Sequence, residues 1–344
     1  MSDSPFGSAA RYQPAEYFDL AGSRVARRFG DVADEYALLR ESAGLVDRGD
    51  RAILRVTGAD RATWLHNMVT NAVRTLDPGS GVYAFACDAK GRVQFDVNIL
   101  MLTDAILLDL DRAVLDRALA HLNRFLIMEA AELFDERDRW ARIGCGGAGV
   151  AAVATALEMS HFPAMPDLAH FEVEGGARVV KTDFTGAPAF ELIVPVENAA
   201  TWWDRLHSLG ARPVGYAAMD VMRIEAAVPW LGRDIDDTTL PAETGQVERG
   251  ISYHKGCYLG QEIIERMRAY GSLARSLVKV RIVDGEGIVT PTPIFHGETD
   301  AGRLTSLVKH PVDAGWIGLG YLRTKVKTRE GLAVGQPPRE LVVI

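Results

Sequence analysis

The hydrophobic positions of the chain repeat every second residue in some segments and every third or fourth residue in others. The clearest alternation lies at 92–102 (RVQFDVNILML), where Gln94, Asp96 and Asn98 separate apolar residues. A period of two predicts a strand with one buried face and one polar face. A second strand is predicted at 82–88, because the apolar run there ends at a turn with the sequence AKG.

Apolar residues three and four positions apart predict helices, which lie at 59–71, 197–210 and 215–228. A shorter helix is expected over 34–45, ending near Gly44. The glycine-rich segment 143–157 is expected to be a domain boundary or a strand–helix turn. After Gly271 the pattern changes to short strands and turns, which predicts a small β-barrel or sandwich. The chain is therefore expected to be α+β and then all-β.

Composition and charge exclude several classes of protein. Of the 344 residues, 48% are hydrophobic, which excludes disorder as the dominant state. The longest weakly polar run, 143–157, is shorter than the roughly 18–20 residues of a membrane span. The net charge of −8, from 46 acidic and 38 basic residues, excludes a global basic field for nucleic acid. The first residues lack the pattern of a signal peptide, so we expect a cytoplasmic protein.

The chain has three cysteines, Cys87, Cys145 and Cys257, and no CxxC pair. A disulfide framework and a permanently bound metal are therefore not expected. Cys257 lies in a bend between Gly256 and Gly260, just before a predicted helix, where a helix N-terminus and nearby cations would lower a thiol pKa. Two interpretations stay open for Cys257, a reactive thiol or a small buried residue of the turn. The other two cysteines are expected in the core.

The octapeptide KGCYLGQE at 255–262 resembles the K-G-C-Y-x-G-Q-E signature of the YgfZ family. The matching residues are Lys255, Gly256, Cys257, Tyr258, Gly260, Gln261 and Glu262. Members of that family are folate-binding relatives of the glycine-cleavage T-protein, an aminomethyltransferase, and are implicated in iron–sulfur cluster maintenance. The resemblance implies that Cys257 is a functional thiol. The adjacent His254 could be a base or a ligand, or an ordinary surface residue.

Other segments resemble the T-protein family, at 35–47, 56–73, 82–96, 182–192, 222–243 and 301–322. The resemblance implies an α+β, multi-domain T-protein-like fold with ferredoxin-like α/β units around a central cavity and a C-terminal small β-barrel. The polar first segment is expected to be a partly ordered lead-in, and the resemblance implies a discontinuous folate-binding domain, an α+β domain and the barrel. These parts would span 1–33, 34–142 plus 213–271, 143–212, and 272–344.

The resemblance also implies roles for single residues. Asp96 matches an aspartate beside the folate nitrogen, and Glu191 matches a glutamate that meets the pterin ring, whose adjacent N–H groups suit a carboxylate. Arg223 matches an arginine that reaches the folate, and Tyr83 could line the same cavity. From the residues alone, Asp96 could instead be solvated, and Glu191 could be an exposed strand residue. Arg223 could instead form an ion pair within its helix, and Tyr83 could be ordinary core.

Departures from the T-protein pattern affect the expected function. Ala187 and Ala189 stand where T-proteins carry Glu and Gly, and T-proteins lack the K-G-C motif. The expected function is therefore tetrahydrofolate binding of the YgfZ type, which supports assembly or repair of iron–sulfur enzymes, with Cys257 and Asp96 as candidate catalytic residues. The alternatives are a tetrahydrofolate-dependent aminomethyl- or methyltransferase, favoured by the retained Asp96, and a folate-stabilised scaffold.

The expected partners follow from the same resemblance. They are folate, together with iron–sulfur enzymes or cluster-assembly proteins. A membrane and nucleic acid are not expected as partners. The sequence does not fix the oligomeric state, and a monomer is the expectation.

Overall fold

The computed structural model describes residues 4–159, 161–183, 186–271 and 273–344. The chain begins with a hairpin and a helix, which are β1 (Glu16–Leu20), β2 (Ser23–Arg28) and α1 (Val32–Glu41). Within the predicted lead-in, Phe6 and Tyr12 are buried, and both rings contact Trp203. The helix α1 begins after Asp31, whose carboxylate accepts a hydrogen bond from the backbone N–H of Ala33.

The predicted helix over 34–45 is wrong at its C-terminal end. The helix stops at Glu41, and the following residues form strand β3 (Gly44–Asp47). Gly44 lies so close to the Leu39 side chain that a Cβ at position 44 would be 2.4 Å from it. Strand pairing on both edges of β3 therefore overrides the helical pattern of the sequence.

A five-stranded sheet with the order β5-β6-β7-β4-β8 forms the first layer of the fold. Its strands are β4 (Arg51–Thr57), β5 (Gly81–Cys87), β6 (Val93–Met101), β7 (Ile106–Asp111) and β8 (Glu132–Asp135). The helices of this region are α2 (Arg61–Met68) and α3 (Leu115–Asn123). The alternation predicted for β6 is confirmed, because its apolar residues are buried while Gln94, Asp96 and Asn98 are only partly buried.

A six-stranded sheet with the order β10-β11-β12-β9-β3-β13 forms the second layer. Its remaining strands are β9 (Trp140–Gly146), β10 (His170–Glu172), β11 (Arg178–Thr182), β12 (Ala189–Pro195) and β13 (Arg212–Pro213). The helices are α4 (Val150–Ala156) and α5 (Ala199–Ser208). The glycine-rich segment is the strand–helix turn between β9 and α4. There, a Cβ on Gly147 would lie 2.5 Å from the Ser42 carbonyl oxygen.

Three helices and a barrel complete the chain. The helices are α6 (Tyr216–Glu225), α7 (Val247–Gly250) and α8 (Gln261–Tyr270). The predicted barrel is closed, with the order β14-β17-β16-β15-β18-β19. Its strands are β14 (Arg275–Ile282), β15 (Thr292–His296), β16 (Thr299–Lys309), β17 (Trp316–Arg323), β18 (Leu332–Val334) and β19 (Arg339–Val343).

The sheets, and not the chain order alone, bring distant residues together. Strand β3 belongs by sequence to the first part of the predicted folate-binding domain, yet it pairs with β9 and β13 of the second sheet. The division into domains stays a prediction. Among the described residues, no helix combines the length and apolar character that crossing a membrane requires.

Candidate functional site

A polar cavity of about 110 Å³ lies where the two sheets meet α6 and segment 228–231. Tyr83 and Asp96 line it from the first sheet, Glu191 lines it from the second sheet, and Arg223 lines it from α6. The fold thus brings together the residues that the resemblance assigns to folate. The volume is below the roughly 300–1,000 Å³ of ordinary ligand pockets, so a larger ligand requires side chains at the rim to move.

Asp96 and Tyr83 form a hydrogen-bonded pair across two antiparallel strands. The Tyr83 hydroxyl donates to Asp96 Oδ2 at 2.8 Å. Burial and the adjacent Asp96 carboxylate raise the pKa of Tyr83 well above its usual value, so the hydroxyl remains a donor. The second oxygen, Asp96 Oδ1, is buried and has no hydrogen-bond partner among the described residues. A buried acceptor without a partner favours a ligand that brings an N–H group.

Glu191 lies in a central strand and is buried, which excludes the exposed position that the sequence left open. Its two carboxylate oxygens accept hydrogen bonds from Arg48 and Arg142. Arg48 also pairs with Asp50 through two contacts of 3.0 Å, and Arg142 pairs with Asp109 at 3.1 Å. Both oxygens of Glu191 are therefore engaged within the protein.

These groups form one buried charge cluster, which consists of Arg48, Asp50, Arg51, Asp109, Arg142 and Glu191. Three positive and three negative side chains balance its charge. Burial alone raises the pKa of Asp50, but Arg48 holds that pKa below its usual value. The cluster joins the first sheet to the second, because Asp109 of β7 and Glu191 of β12 share Arg142 of β9.

Trp230 forms one wall of the polar cavity. Its indole Nε1 donates to Asp111 at 2.9 Å, and its ring stacks on Tyr216 with a centroid separation of 5.5 Å. The Tyr216 hydroxyl donates in turn to Asp50 of the buried charge cluster. Burial, together with the nearby Asp50, raises the pKa of Asp111 to about 6. The wall is thus held by hydrogen bonds to two buried carboxylates.

Arg223 connects α6 to the loop beside the cavity and to the barrel. Its Nε donates to Asp220 at 2.5 Å, the ion pair within the helix that the sequence left open. Nη1 donates to Asp234 at 2.7 Å and to the Val228 carbonyl at 3.1 Å, and Nη2 donates to Ser306 at 2.9 Å. Each guanidinium nitrogen therefore has a partner in the protein. In this geometry Arg223 fixes the wall of the cavity.

The rim of the polar cavity carries a cation and two carboxylates. The exposed Arg249 guanidinium lies 4.1 Å above the Tyr83 ring. Asp167 and Asp183 line the same rim, and burial raises the pKa of both carboxyl groups, while Arg249 opposes that rise. The segment resembling T-proteins also contains positions 184 and 185, which lie outside the described residues.

The Cys257 loop, defined here as residues 251–260, joins α7 to α8 and does not line the polar cavity. Cys257 is exposed, which contradicts the interpretation as a buried cysteine. Cys87 and Cys145 are buried, as the sequence predicts. His254 is exposed, in agreement with its interpretation as a surface residue. The structure therefore separates the candidate thiol from the candidate folate residues.

Lys255 anchors the Cys257 loop. Its ammonium group donates to the backbone carbonyls of Val69 at 2.6 Å and Asn71 at 2.9 Å, and also to that of His66. These carbonyls lie at and just beyond the C-terminal end of α2, where a cation is favoured. Burial lowers the pKa of Lys255 to about 7.

The other motif residues shape the bend. Tyr258 is buried, and Gly260 adopts a left-handed conformation with φ of +84°. A Cβ on Gly260 would lie 2.6 Å from the Asp88 carbonyl oxygen, so this position requires glycine. Gly256 and Glu262 are exposed, and Gly260 and Gln261 are partly exposed.

Sequence reasoning missed the charged partners of Glu191 and the residues of the rim. The segment RGDR at 48–51 carries a usable signal, because three charged residues within four positions directly precede the apolar run at 52–54. Trp230 and Arg249 carry no comparable signal. Within the described ranges, no group of three or more His, Cys, Asp or Glu side chains is placed to hold a metal ion.

Comparisons with known proteins place this geometry in context. The model of the family described as the GCVT N-terminal domain matches residues 3–252. An aminomethyltransferase of Rubrobacter xylanophilus is 28% identical over 324 residues, which cover 93% of this chain and 86% of the relative. One from Bacillus mycoides is 26% identical over 316 residues, which cover 89% of this chain and 86% of the relative.

The fold has a counterpart among solved structures. The crystal structure of the glycine cleavage system aminomethyltransferase T from Bartonella henselae matches with a TM-score of 0.89 at 19% identity. The match covers 99% of this chain and 96% of that chain. It confirms the T-protein-like fold that the sequence predicts.

Proposed function

The chain belongs to the family of the GCVT N-terminal domain, and on that premise we propose that it binds tetrahydrofolate in the polar cavity and supports one-carbon transfer. The observation that carries the proposal is the buried Asp96 Oδ1, which has no partner among the described residues and lies in the cavity wall. The aminomethyltransferases that align with most of this chain support the same reading.

The residues of the cavity fit a reduced folate. Asp96 Oδ1 can accept from an N–H group, and Tyr83 holds the other oxygen so that the carboxylate keeps its orientation. When bound, tetrahydrofolate supplies amine nitrogens that carry the one-carbon unit. Glu191 can meet the pterin edge only by sharing its oxygens with Arg48 and Arg142. The cavity holds about 110 Å³, and the exposed Arg249 over the Tyr83 ring is the rim side chain that we expect to move when the ring system enters.

Asp96 is the residue assigned to the chemistry in this proposal. An ionised carboxylate beside the reacting nitrogen stabilises positive charge that develops on an amine donor. It can also take or return a proton at Oδ1, because that atom is not already bonded within the protein.

The first experiment measures binding of 5-formyltetrahydrofolate, a stable reduced folate, by calorimetry. Asp96→Asn removes the anionic acceptor and is expected to weaken binding about 10–100-fold, because hydrogen bonds to charged groups contribute about 1.5–3 kcal/mol. Gln94→Ala is the matched control, since Gln94 occupies the same strand face but does not line the cavity. Equal affinities of wild type and Asp96→Asn would contradict the proposal.

The second experiment measures transfer. Tetrahydrofolate is incubated with isotope-labelled methylated or aminomethylated amines, and the labelled folate is followed by NMR. Transfer that is lost in Asp96→Asn and kept in Gln94→Ala supports an enzyme. Folate binding without transfer from any donor of these classes would contradict the enzymatic half of the proposal.

The exposed thiol favours a second candidate function. Cys257 is exposed on an anchored loop outside the cavity, as a YgfZ-type thiol that acts on a cluster, a sulfur species or a partner protein requires. One thiol cannot by itself hold a conventional four-cysteine cluster, so any cluster would need ligands from a partner. Complementation of a strain that lacks the YgfZ-type protein tests this candidate. Full complementation by Cys257→Ala would exclude it.

A further inference from the structure

We infer that Asn71 and Lys255 are positioning residues that join the polar cavity to the Cys257 loop, so that a folate in the cavity slows opening of that loop. The inference rests on the proposed function for its ligand, but its structural half is independent of any ligand. The connection runs through residues 66–71, here called the bridge segment, which lie between β5 and the Cys257 loop.

Asn71 contacts the cavity strand and the segment before the loop at the same time. Its Nδ2 donates to the Tyr83 carbonyl and to the Arg249 carbonyl, both at 2.9 Å. Its Oδ1 accepts from the Ala72 N–H at 2.8 Å, which fixes the orientation of the amide. One side chain therefore ties together the two residues that stack at the cavity rim, Tyr83 and Arg249.

Thr70 makes a second pair of connections beside Asn71. Its hydroxyl donates to the Gly250 carbonyl at 2.6 Å and accepts from the Phe85 N–H at 2.9 Å. Its backbone carbonyl accepts from the Ser252 N–H at 3.0 Å. The bridge segment is thus hydrogen-bonded to β5 on one side and to the start of the Cys257 loop on the other.

Lys255 closes the connection on the side of the thiol. Its ammonium group donates to the Asn71 carbonyl at 2.9 Å and to the Val69 carbonyl at 2.6 Å. Near the other end of the loop, the Leu259 N–H donates to the Asn67 carbonyl at 3.1 Å. Both ends of the loop therefore depend on the bridge segment.

These contacts give a route from ligand to thiol with a named bond at each step. Asp96 accepts from Tyr83, whose carbonyl accepts from Asn71, whose carbonyl accepts from Lys255, two residues before Cys257. Tyr83 and Arg249 line the cavity and supply both acceptors of the Asn71 amide through their backbone carbonyls, so a ligand in the cavity contacts the residues that Asn71 joins. Ordering of the cavity residues is therefore expected to stabilise the Cys257 loop, because the hydrogen bonds of Asn71 and Lys255 connect the two and those of Lys255 must break when the loop opens.

The ligand-free test compares two lysine variants. Lys255→Met removes the ammonium group, and Lys90→Met is the matched control, an exposed lysine on the turn that contacts Gly260. Amide hydrogen exchange at Ser252 and Leu259 is expected to be about tenfold faster in Lys255→Met than in the control. Equal exchange in both variants would overturn the inference, whether or not folate binds.

The ligand-dependent test uses saturating 5-formyltetrahydrofolate. In wild type it is expected to slow exchange at the same amides by about fivefold. Asn71→Ala should abolish this response when exchange is measured at a folate concentration that saturates the variant, as set by its own binding isotherm. Asn67→Ala is the control, because the Asn67 side chain is exposed on the same segment.

The outcomes separate the two proposals. Folate that binds without changing exchange in wild type overturns the inference and leaves the proposed function intact, and so does a full response in Asn71→Ala. Absence of folate binding overturns the proposed function and the ligand half of the inference, and the lysine comparison then decides the structural half.

Discussion

Replacement of Glu191 by glutamine tests whether this residue holds the two sheets together. The buried charge cluster has three cations and three anions, so Glu191→Gln leaves one positive charge in excess. The amide can accept from one arginine, but its NH₂ group then faces the other. Arg48 and Arg142 each keep one carboxylate, Asp50 and Asp109 respectively.

The size of the effect follows from this count. Breaking a buried ion pair by removing one partner costs about 3–5 kcal/mol, and the retained carboxylates place Glu191→Gln near 3 kcal/mol. For a chain of 344 residues, that loss corresponds to a Tm lower by roughly 4 °C. Scanning calorimetry measures it, with Glu132→Gln as the control, since Glu132 is exposed on β8.

Two results would refute the reasoning. A Tm of Glu191→Gln within about 1 °C of wild type would mean that the cluster does not stabilise the junction of the sheets. An equal loss in Glu132→Gln would mean that the effect is one of overall charge. Folate affinity measured on the same variants separates a structural role of Glu191 from a role in binding the pterin.

Three further predictions follow from single positions. Gly260→Ala should lower the free energy of unfolding by at least about 1 kcal/mol in urea titrations, because its conformation is left-handed and its Cβ would meet a carbonyl oxygen; an unchanged midpoint would contradict this. Burial raises the pKa of Asp47 to about 6, so this group stabilises the fold below its unfolded pKa of about 4 and loses that contribution as the pH rises through 6. Asp47→Asn should therefore gain stability relative to wild type between pH 5 and pH 7.5 in urea titrations, and a pH-independent difference would contradict it. A disulfide reagent should titrate one thiol in the native protein and none in native Cys257→Ala, because the other two cysteines are buried.

The sequence predicts the elements whose patterns are local. The alternation in β6 places Asp96 on a polar face, and the turn-rich C-terminal segment predicts the barrel. The position at which α1 ends cannot be predicted from local sequence, because it depends on the pairing of β3 with β9 and β13, which lie far along the chain. The helical periodicity of the sequence therefore extends beyond Glu41 into residues that form strand β3 in the structure.

The partners of Glu191 show the same limit at the candidate site. Arg48 and Arg142 lie 143 and 49 positions from Glu191 in the chain, so no spacing rule connects them. The resemblance identifies Glu191 because a family motif aligns with that position, but a motif does not predict which side chains will contact Glu191 in the folded chain. Arg249 at the rim and Asn71 in the bridge segment belong to the same class of residue, defined only by the folded chain.

The hydrogen bonds that the cavity side chains already make within the protein determine which of these side chains can select a ligand. Arg223 has a protein partner at each nitrogen of its guanidinium, and both oxygens of Glu191 accept from arginines. A ligand bond to Arg223 competes with existing bonds, and a ligand bond to Glu191 shares an oxygen that already accepts from an arginine, so the net gain at either group is small. Asp96 Oδ1 has no such bond to lose among the described residues, and a ligand N–H there gains a contact outright. Selectivity in this cavity should therefore depend on Asp96 more than on the two residues that hold its walls.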